Sequence, residues 1–162
     1  MEREITWTEV RTHFRKCTRQ NLHQVIASVD DKGKPRLTPI GSLFLNYDQT
    51  GFYFEKYCAS LPRFATGHPD ICIMAVNTSK WYWFRSLYKG RFKGTPAVKL
   101  YGKLGHRRQA TDQEMVRFEN RFKLTKRLKG YNLLWKDLTF IREISFHEIR
   151  IVEFGNSVPV II

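Results

Sequence analysis

Lys56, Ser60 and Arg63 make up the most chemically pointed stretch of this 162-residue chain. They lie in the turn Lys56-Tyr57-Cys58-Ala59-Ser60-Leu61-Pro62-Arg63, where Ser60 can cap a short helix. A phosphate monoester carries nearly two negative charges and three acceptor oxygens, so its pocket needs cations and N–H groups converging from several elements. A helix amino terminus supplies unpaired N–H groups and the positive end of a dipole. Lys56 and Arg63 add charge, and Arg36 on the neighbouring strand could add a two-pronged contact. The same residues admit a plainer reading, in which Ser60 is only a cap and Lys56 and Arg63 are solvated surface charges.

Upstream, Arg36-Leu37-Thr38-Pro39-Ile40-Gly41 reads as a strand interrupted by a proline. Pro39 has no N–H to give, so its strand must be an edge or must open there. Beside Thr38, Ile40 and Gly41, backbone groups released from a ladder could face a ligand. A flat heteroaromatic ring with donors and acceptors along one rim, such as a flavin, matches that need. Alternatively, Pro39 marks no more than an exposed edge.

These groups must be positioned by an α+β framework of mainly antiparallel strands. Thr6-Trp7-Thr8-Glu9 is a capping box, and Trp7, Val10, Phe14 and Cys17 follow at spacings of three and four, which predicts an amphipathic helix over 7–19. Strands are expected over 24–29 and 36–45, around a hairpin turn at 30–35, and then over 52–55. A short helix over 60–66 precedes strands over 71–76, 81–85 and 97–104. A second capping box, Thr111-Asp112-Gln113-Glu114, opens a helix that places Met115, Phe118 and Phe122 on one face, and a last strand runs over 144–154. Tight connections between so many short strands disfavour a parallel sheet, which needs long crossovers. The expectation is a six- to seven-stranded antiparallel barrel, closed or nearly so, with flanking helices. The length suits a single domain over 1–162.

The net charge is +13, and the segment 85–129 alone holds 14 Lys or Arg against three acids, so its partner should be anionic. Trp81-Tyr82-Trp83-Phe84, followed by Lys89-Gly90-Arg91-Phe92-Lys93-Gly94, raises a rival function, because aromatic platforms interleaved with cations hold single-stranded nucleic acid. Against it stands the reading that alternate aromatics face a dimer core and the loop is solvated. A hydrophobic content of 42% excludes disorder, and no apolar run approaches the roughly 20 residues that cross a bilayer, so no membrane is expected. The first residues lack the pattern of a secretory leader, which makes a cytoplasmic location the default. Cys17, Cys58 and Cys72 are odd in number and widely spaced, as free thiols are. The five histidines lack metal-ligand spacing and no metal is expected; of them, His147 has the best claim to a core or interface role.

The order of these pieces resembles the FMN-binding split barrels related to pyridoxamine 5′-phosphate oxidase. The likeness is clearest in Val25 to Asp30, Gly33 to Gly41, Gly51 to Phe54, Ser60 to Arg63 and His68 to Ala75. It implies a homodimer with two FMN molecules at the interface, each touched by both chains. Thr38, Pro39 and Ile40 would then lie along the isoalloxazine, Phe54 and Glu55 would border it, and Ser60, Arg63 and Lys56 would take the phosphate. Trp81 and Trp83 would reach the flavin from the partner chain. Here the serine and its basic partner are three apart with Pro62 between them, whereas the family's phosphate turn usually sets them two apart. The chain also ends without the arginine-rich signature of the true vitamin B6 oxidases, so the resemblance implies a flavin-dependent oxidoreductase of unknown small substrate. The other readings are a noncatalytic flavin or haem protein, the deazaflavin F420 in place of FMN, and a basic nucleic-acid-binding domain.

Overall fold

The computed structural model describes residues 5–56, 61, 67–128, 130–131, 138–152 and 160–161. Helix α1 spans Trp7–Asn21 and begins as the capping box requires: the Thr6 hydroxyl accepts from the Glu9 N–H, and the Glu9 carboxylate accepts from the Thr6 N–H at 2.8 Å. Val10, Phe14 and Cys17 form its buried stripe. The Trp7 indole N–H donates to the Asn46 carbonyl at 2.8 Å and fixes the helix across the end of the sheet.

Seven antiparallel strands form that sheet. They are β1 (Gln24–Val29), β2 (Pro35–Ile40), β3 (Leu43–Leu45), β4 (Thr50–Phe54), β5 (Asp70–Val76), β7 (Ala97–Gln109) and β8 (Phe140–Ile151), in the order β2-β1-β5-β7-β8-β4-β3. Two short strands, β6 (Phe92–Lys93) and β9 (Val160–Ile161), pair separately and in parallel. Because β2 and β3 are the two edges and only Gly41 and Ser42 join them, the sheet must curl until its edges meet at that corner. Each residue spans at most about 3.6 Å, so no flat arrangement could connect them. The single strand expected over 36–45 is therefore two strands, bent at Gly41-Ser42 and placed on opposite edges of one half-barrel.

Two apolar clusters lie on the two sides of this sheet. The barrel interior gathers Ile26, Ile40, Tyr53, Ile73, Leu100, Ile144 and the stripe of α1. The outer side of β3, β4 and β8 holds Phe44, Phe52, Phe54 and Ile141 under Phe118. Strand β4 thus buries alternate residues on both faces, and its unbroken Phe52-Tyr53-Phe54 run follows from that. Phe118 belongs to a helix over Asp112–Phe122, which begins at the second capping box as expected.

The aromatic run expected as a strand over 81–85 is instead a helix, α2 (Lys80–Lys89), and the Asp112–Phe122 helix is therefore α3. Ser79 caps α2, Gly90 ends it with a left-handed φ of 59°, and no β-branched residue lies between. His147 also differs from expectation. The β7–β8 register shifts between Tyr101 and Gly102, leaving His147 as the unpaired bulge residue, exposed and outside the core. At that bulge a Cβ on Gly102 would meet the Ser145 carbonyl oxygen at 2.4 Å, so the close strand crossing needs glycine.

Candidate functional site

The β2–β1 register decides which backbone groups of β2 are free. The Asp30 N–H donates to the Lys34 carbonyl at 2.9 Å, so this pair is hydrogen-bonded, and bonded pairs recur at every second residue. Arg36, Thr38 and Ile40 consequently turn their backbone groups to β1, opposite Ser28, Ile26 and Gln24. Leu37 and Pro39 turn theirs to the open edge, where proline has no N–H to waste. Side chains alternate in the same way. Ile40 is buried and Thr38 half-buried towards the barrel interior, while Leu37 and Pro39 stand exposed on the outer side.

That outer side is apolar across three strands. Leu37 lies opposite Ala27 and Ala27 opposite Cys72, while Pro39 lies opposite Val25 and Val25 opposite Met74. Leu37 is 73% exposed and Met74 42% exposed. Among the described residues nothing pairs with the free edge of β2.

The corner brings this edge to the end of β4. The Ser42 hydroxyl accepts from the Phe54 N–H at 3.1 Å and donates to the Phe54 carbonyl at 3.3 Å, so Gly41 and Ser42 lie beside Phe54 and Glu55. Phe54 itself gives its ring to the phenylalanine cluster, leaving only its backbone near the corner. Glu55 is engaged as well. Arg142 and Arg107 stand opposite each other on β8 and β7, an arrangement of like charges that repel, and the Glu55 carboxylate bridges them at 2.7 Å and 3.0 Å. Arg142 also donates to the Gly105 carbonyl at 2.9 Å. Lys56 follows, exposed; Ser60 and Arg63 lie outside the described residues.

Arg36 is engaged by the hairpin turn. Its Nε donates to the Asp30 carboxylate at 2.9 Å, and the same carboxylate accepts the Lys32 and Lys34 N–H groups, each at 2.9 Å. The backbone hydrogen bond from Lys34, with help from Arg36 and Lys32, holds the Asp30 carboxyl below the usual range. Asp30, a residue the sequence treats as a turn former only, is thus the anchor of this loop.

Trp81 and Trp83, expected on one face of a strand, diverge because they sit two positions apart on a helix. Trp83 is half-buried and donates its indole N–H to the Asn77 carbonyl at 2.6 Å. Trp81 is 69% exposed. The basic residues separate in a similar way. Arg108 joins Glu114 at 2.8 Å and Glu143 at 2.6 Å. Arg117 donates to the Leu45 carbonyl at 3.0 Å and to Asn46 at 2.7 Å, and Arg121 donates to the Leu43 carbonyl. The Arg121 guanidinium lies 3.5 Å from the Phe44 ring centroid, and although part of its side chain stays at the surface, burial of that charged end, then Arg117 nearby, push it down to about 10. Much of the charge counted in the sequence therefore holds the fold together.

Of the thiols, Cys17 and Cys72 are free, and burial pushes Cys17 up to about 11, so it acts as a core residue. No helix of the described residues is long and apolar enough to cross a membrane.

No family model matches the chain, and no curated protein matches it. Solved structures do. An FMN-binding protein from Syntrophomonas wolfei is 14% identical, with a TM-score of 0.59 over 93% of this chain and 94% of the other. The haem storage protein of Vibrio cholerae is 12% identical, with a TM-score of 0.58 over 89% and 95%. A candidate pyridoxamine 5′-phosphate oxidase from Lactobacillus delbrueckii is 16% identical, with a TM-score of 0.53 over 91% and 93%. The half-barrel closed at Gly41-Ser42, with its free edge at Pro39, is the split-barrel fold of pyridoxamine 5′-phosphate oxidase-like and FMN-binding proteins.

Proposed function

We propose that the protein is an FMN-binding flavoprotein, a homodimer with cofactor at its interface, that acts as an oxidoreductase on a small substrate. The observation that carries this reading is one juxtaposition. The open, apolar-faced edge of β2 meets the end of β4 at the Gly41-Ser42 corner, and in sequence β4 is followed by Lys56, Ser60 and Arg63.

The residues fit such a group. Leu37 offers an N–H and a carbonyl, and Pro39 a carbonyl, along an edge with no strand beside it among the described residues. Leu37, Pro39 and Met74 supply apolar surface for a ring or for a second chain, and an exposed apolar patch of this kind marks an interaction face. Lys56, Ser60 and Arg63 would hold the phosphate. Glu55 keeps its neighbourhood rigid by satisfying Arg107 and Arg142, so the corner is set before any ligand arrives. When bound, the flavin supplies hydride transfer; the chain's part is to hold it, orient it and exclude water from its face.

The test is the absorption spectrum of the purified protein. Two flavin bands, with FMN released on denaturation, support the reading, and bleaching by NADH or NADPH with reoxidation in air supports an enzyme over a carrier. Arg63→Ala with Ser60→Ala should weaken FMN retention by roughly tenfold or more, the cost of losing charge-assisted hydrogen bonds. A Soret band would replace FMN with haem, release of a deazaflavin on denaturation would indicate F420, and colourless protein that shifts an oligonucleotide would end the flavin reading.

A further inference from the structure

Helices α1 and α2 leave between them a groove made of two adjoining cavities of about 260 and 300 Å³, which share Lys16 and Tyr82. Among the described residues the smaller is lined by Lys16, Arg85, Lys89 and Arg91 together with Ser79, Ser86 and the rings of Trp81 and Tyr82, with no carboxylate. None of its four cations makes a salt bridge among the described residues, whereas Arg107, Arg108 and Arg142 are all paired. Arg85 and Lys89 are four apart on α2, a spacing at which like charges repel. The wall is firmly built, because the Ser86 hydroxyl donates to the Tyr82 carbonyl at 2.7 Å and the Tyr82 hydroxyl donates to the Gly94 carbonyl at 3.3 Å. The larger cavity is mostly neutral and polar, with Thr12, His13, Asn77 and Thr95 in its lining. Glu9, the carboxylate among its described lining residues, is occupied by the Thr6 N–H at 2.8 Å and the Thr6 hydroxyl at 2.7 Å. Burial holds the His13 imidazole below its ordinary range and so neutral, with its Nε2 3.0 Å from the Ala75 carbonyl.

We infer that this groove binds a small polyphosphorylated ligand of nucleotide type, its phosphates among Lys16, Arg85, Lys89 and Arg91 and its head group past Tyr82 towards His13 and Asn77. Four cations facing one space, with no ion pair among the described residues, are relieved by an anion with several charges, and guanidinium groups match phosphate oxygens. The cationic cavity is small by the standard of ligand pockets, which suits a phosphate chain rather than a polymer. Trp81 and Tyr82 provide ring faces beside it. The groove uses no residue of β2 or β4, and of the residues named for the flavin it shares Trp81 alone, so its test does not depend on flavin being bound.

The experiment titrates the full chain with ATP and with pyrophosphate by calorimetry, and follows tryptophan fluorescence. ATP is expected to bind one to one with a Kd on the order of 10 μM, more tightly than pyrophosphate. Arg85→Gln with Lys89→Gln, and separately Lys16→Gln on the opposite wall, should weaken it roughly tenfold or more. Both variants should leave circular dichroism and any bound chromophore unchanged, since all three side chains are exposed. A matched pair elsewhere on the surface, Lys123→Gln with Arg127→Gln, should change affinity less than threefold, on the order expected from general charge. The inference is overturned if the control pair weakens ATP as much as the groove variants do. It is also overturned if neither groove variant changes ATP affinity, or if affinity for oligothymidylate exceeds that for ATP and climbs with length, as an open basic stripe would give.

Discussion

The two halves of the sheet's outer side are treated in opposite ways. Over β3, β4 and β8, helix α3 packs Phe118 onto Phe44, Phe52 and Phe54, and Arg117 and Arg121 donate to the Leu45 and Leu43 carbonyls of the edge strand. Over β2, β1 and β5, Leu37, Val29 and Met74 remain exposed, and the edge carries Pro39 in place of a cap. Both edges come from one short segment, 35–45, which changes from the largely exposed Pro35–Ile40 to the buried Leu43–Leu45 across the corner. An uncapped edge and a bare apolar face invite pairing with another chain, and proteins usually cover or charge them. One half of the sheet is covered within the chain, while the other stays open among the described residues.

The corner that joins the halves should be the most sensitive point. Glu55→Ala leaves Arg142, whose side chain is 10% exposed, without its partner and should cost about 3–5 kcal/mol in urea unfolding. A loss under about 1 kcal/mol would show that Arg107 and Arg142 find other acceptors and that the corner does not depend on this carboxylate. Next in size, Arg117→Met with Arg121→Met should lower stability by about 2 kcal/mol and speed amide exchange in β3 and β4, because two edge carbonyls lose charged donors. Unchanged exchange there would remove the contrast between a capped and an open edge. Smallest in stability is Leu37→Lys on the open half. It should move protomer stability by less than about 0.5 kcal/mol while shifting the proposed dimer to monomer in sedimentation. If the mass is unaltered, the bare face is not where copies meet.

Several parts of this arrangement were legible in the sequence because their physics is local. The two capping boxes need only residues three apart, and both helices start where Thr6 and Thr111 place them. Pro39 announces an edge because a missing N–H is a property of the residue itself. The helical nature of 80–89 was harder to see, since aromatic runs suit strands and helices alike, and only Ser79 and Gly90 as caps favour the helix. Among the proposed site residues, Gly41 lies beside the Phe54 backbone at the corner, while the Phe54 ring, Arg36 and Glu55 are engaged by the phenylalanine cluster, by Asp30 and by two arginines. Glu55 and Arg142 are 87 positions apart, a separation at which no pattern in the chain marks them as partners.

The sequence alone determined the two helices opened by capping boxes, the antiparallel class, the edge at Pro39 and the sign of the protein's charge. Tertiary structure decided where the chain bends between β2 and β3, which cations are consumed by carbonyls and carboxylates, and which converge between α1 and α2. The reason is that caps and missing donors act over a few residues, whereas the fate of a charge depends on the partners that folding brings within about 4 Å of it.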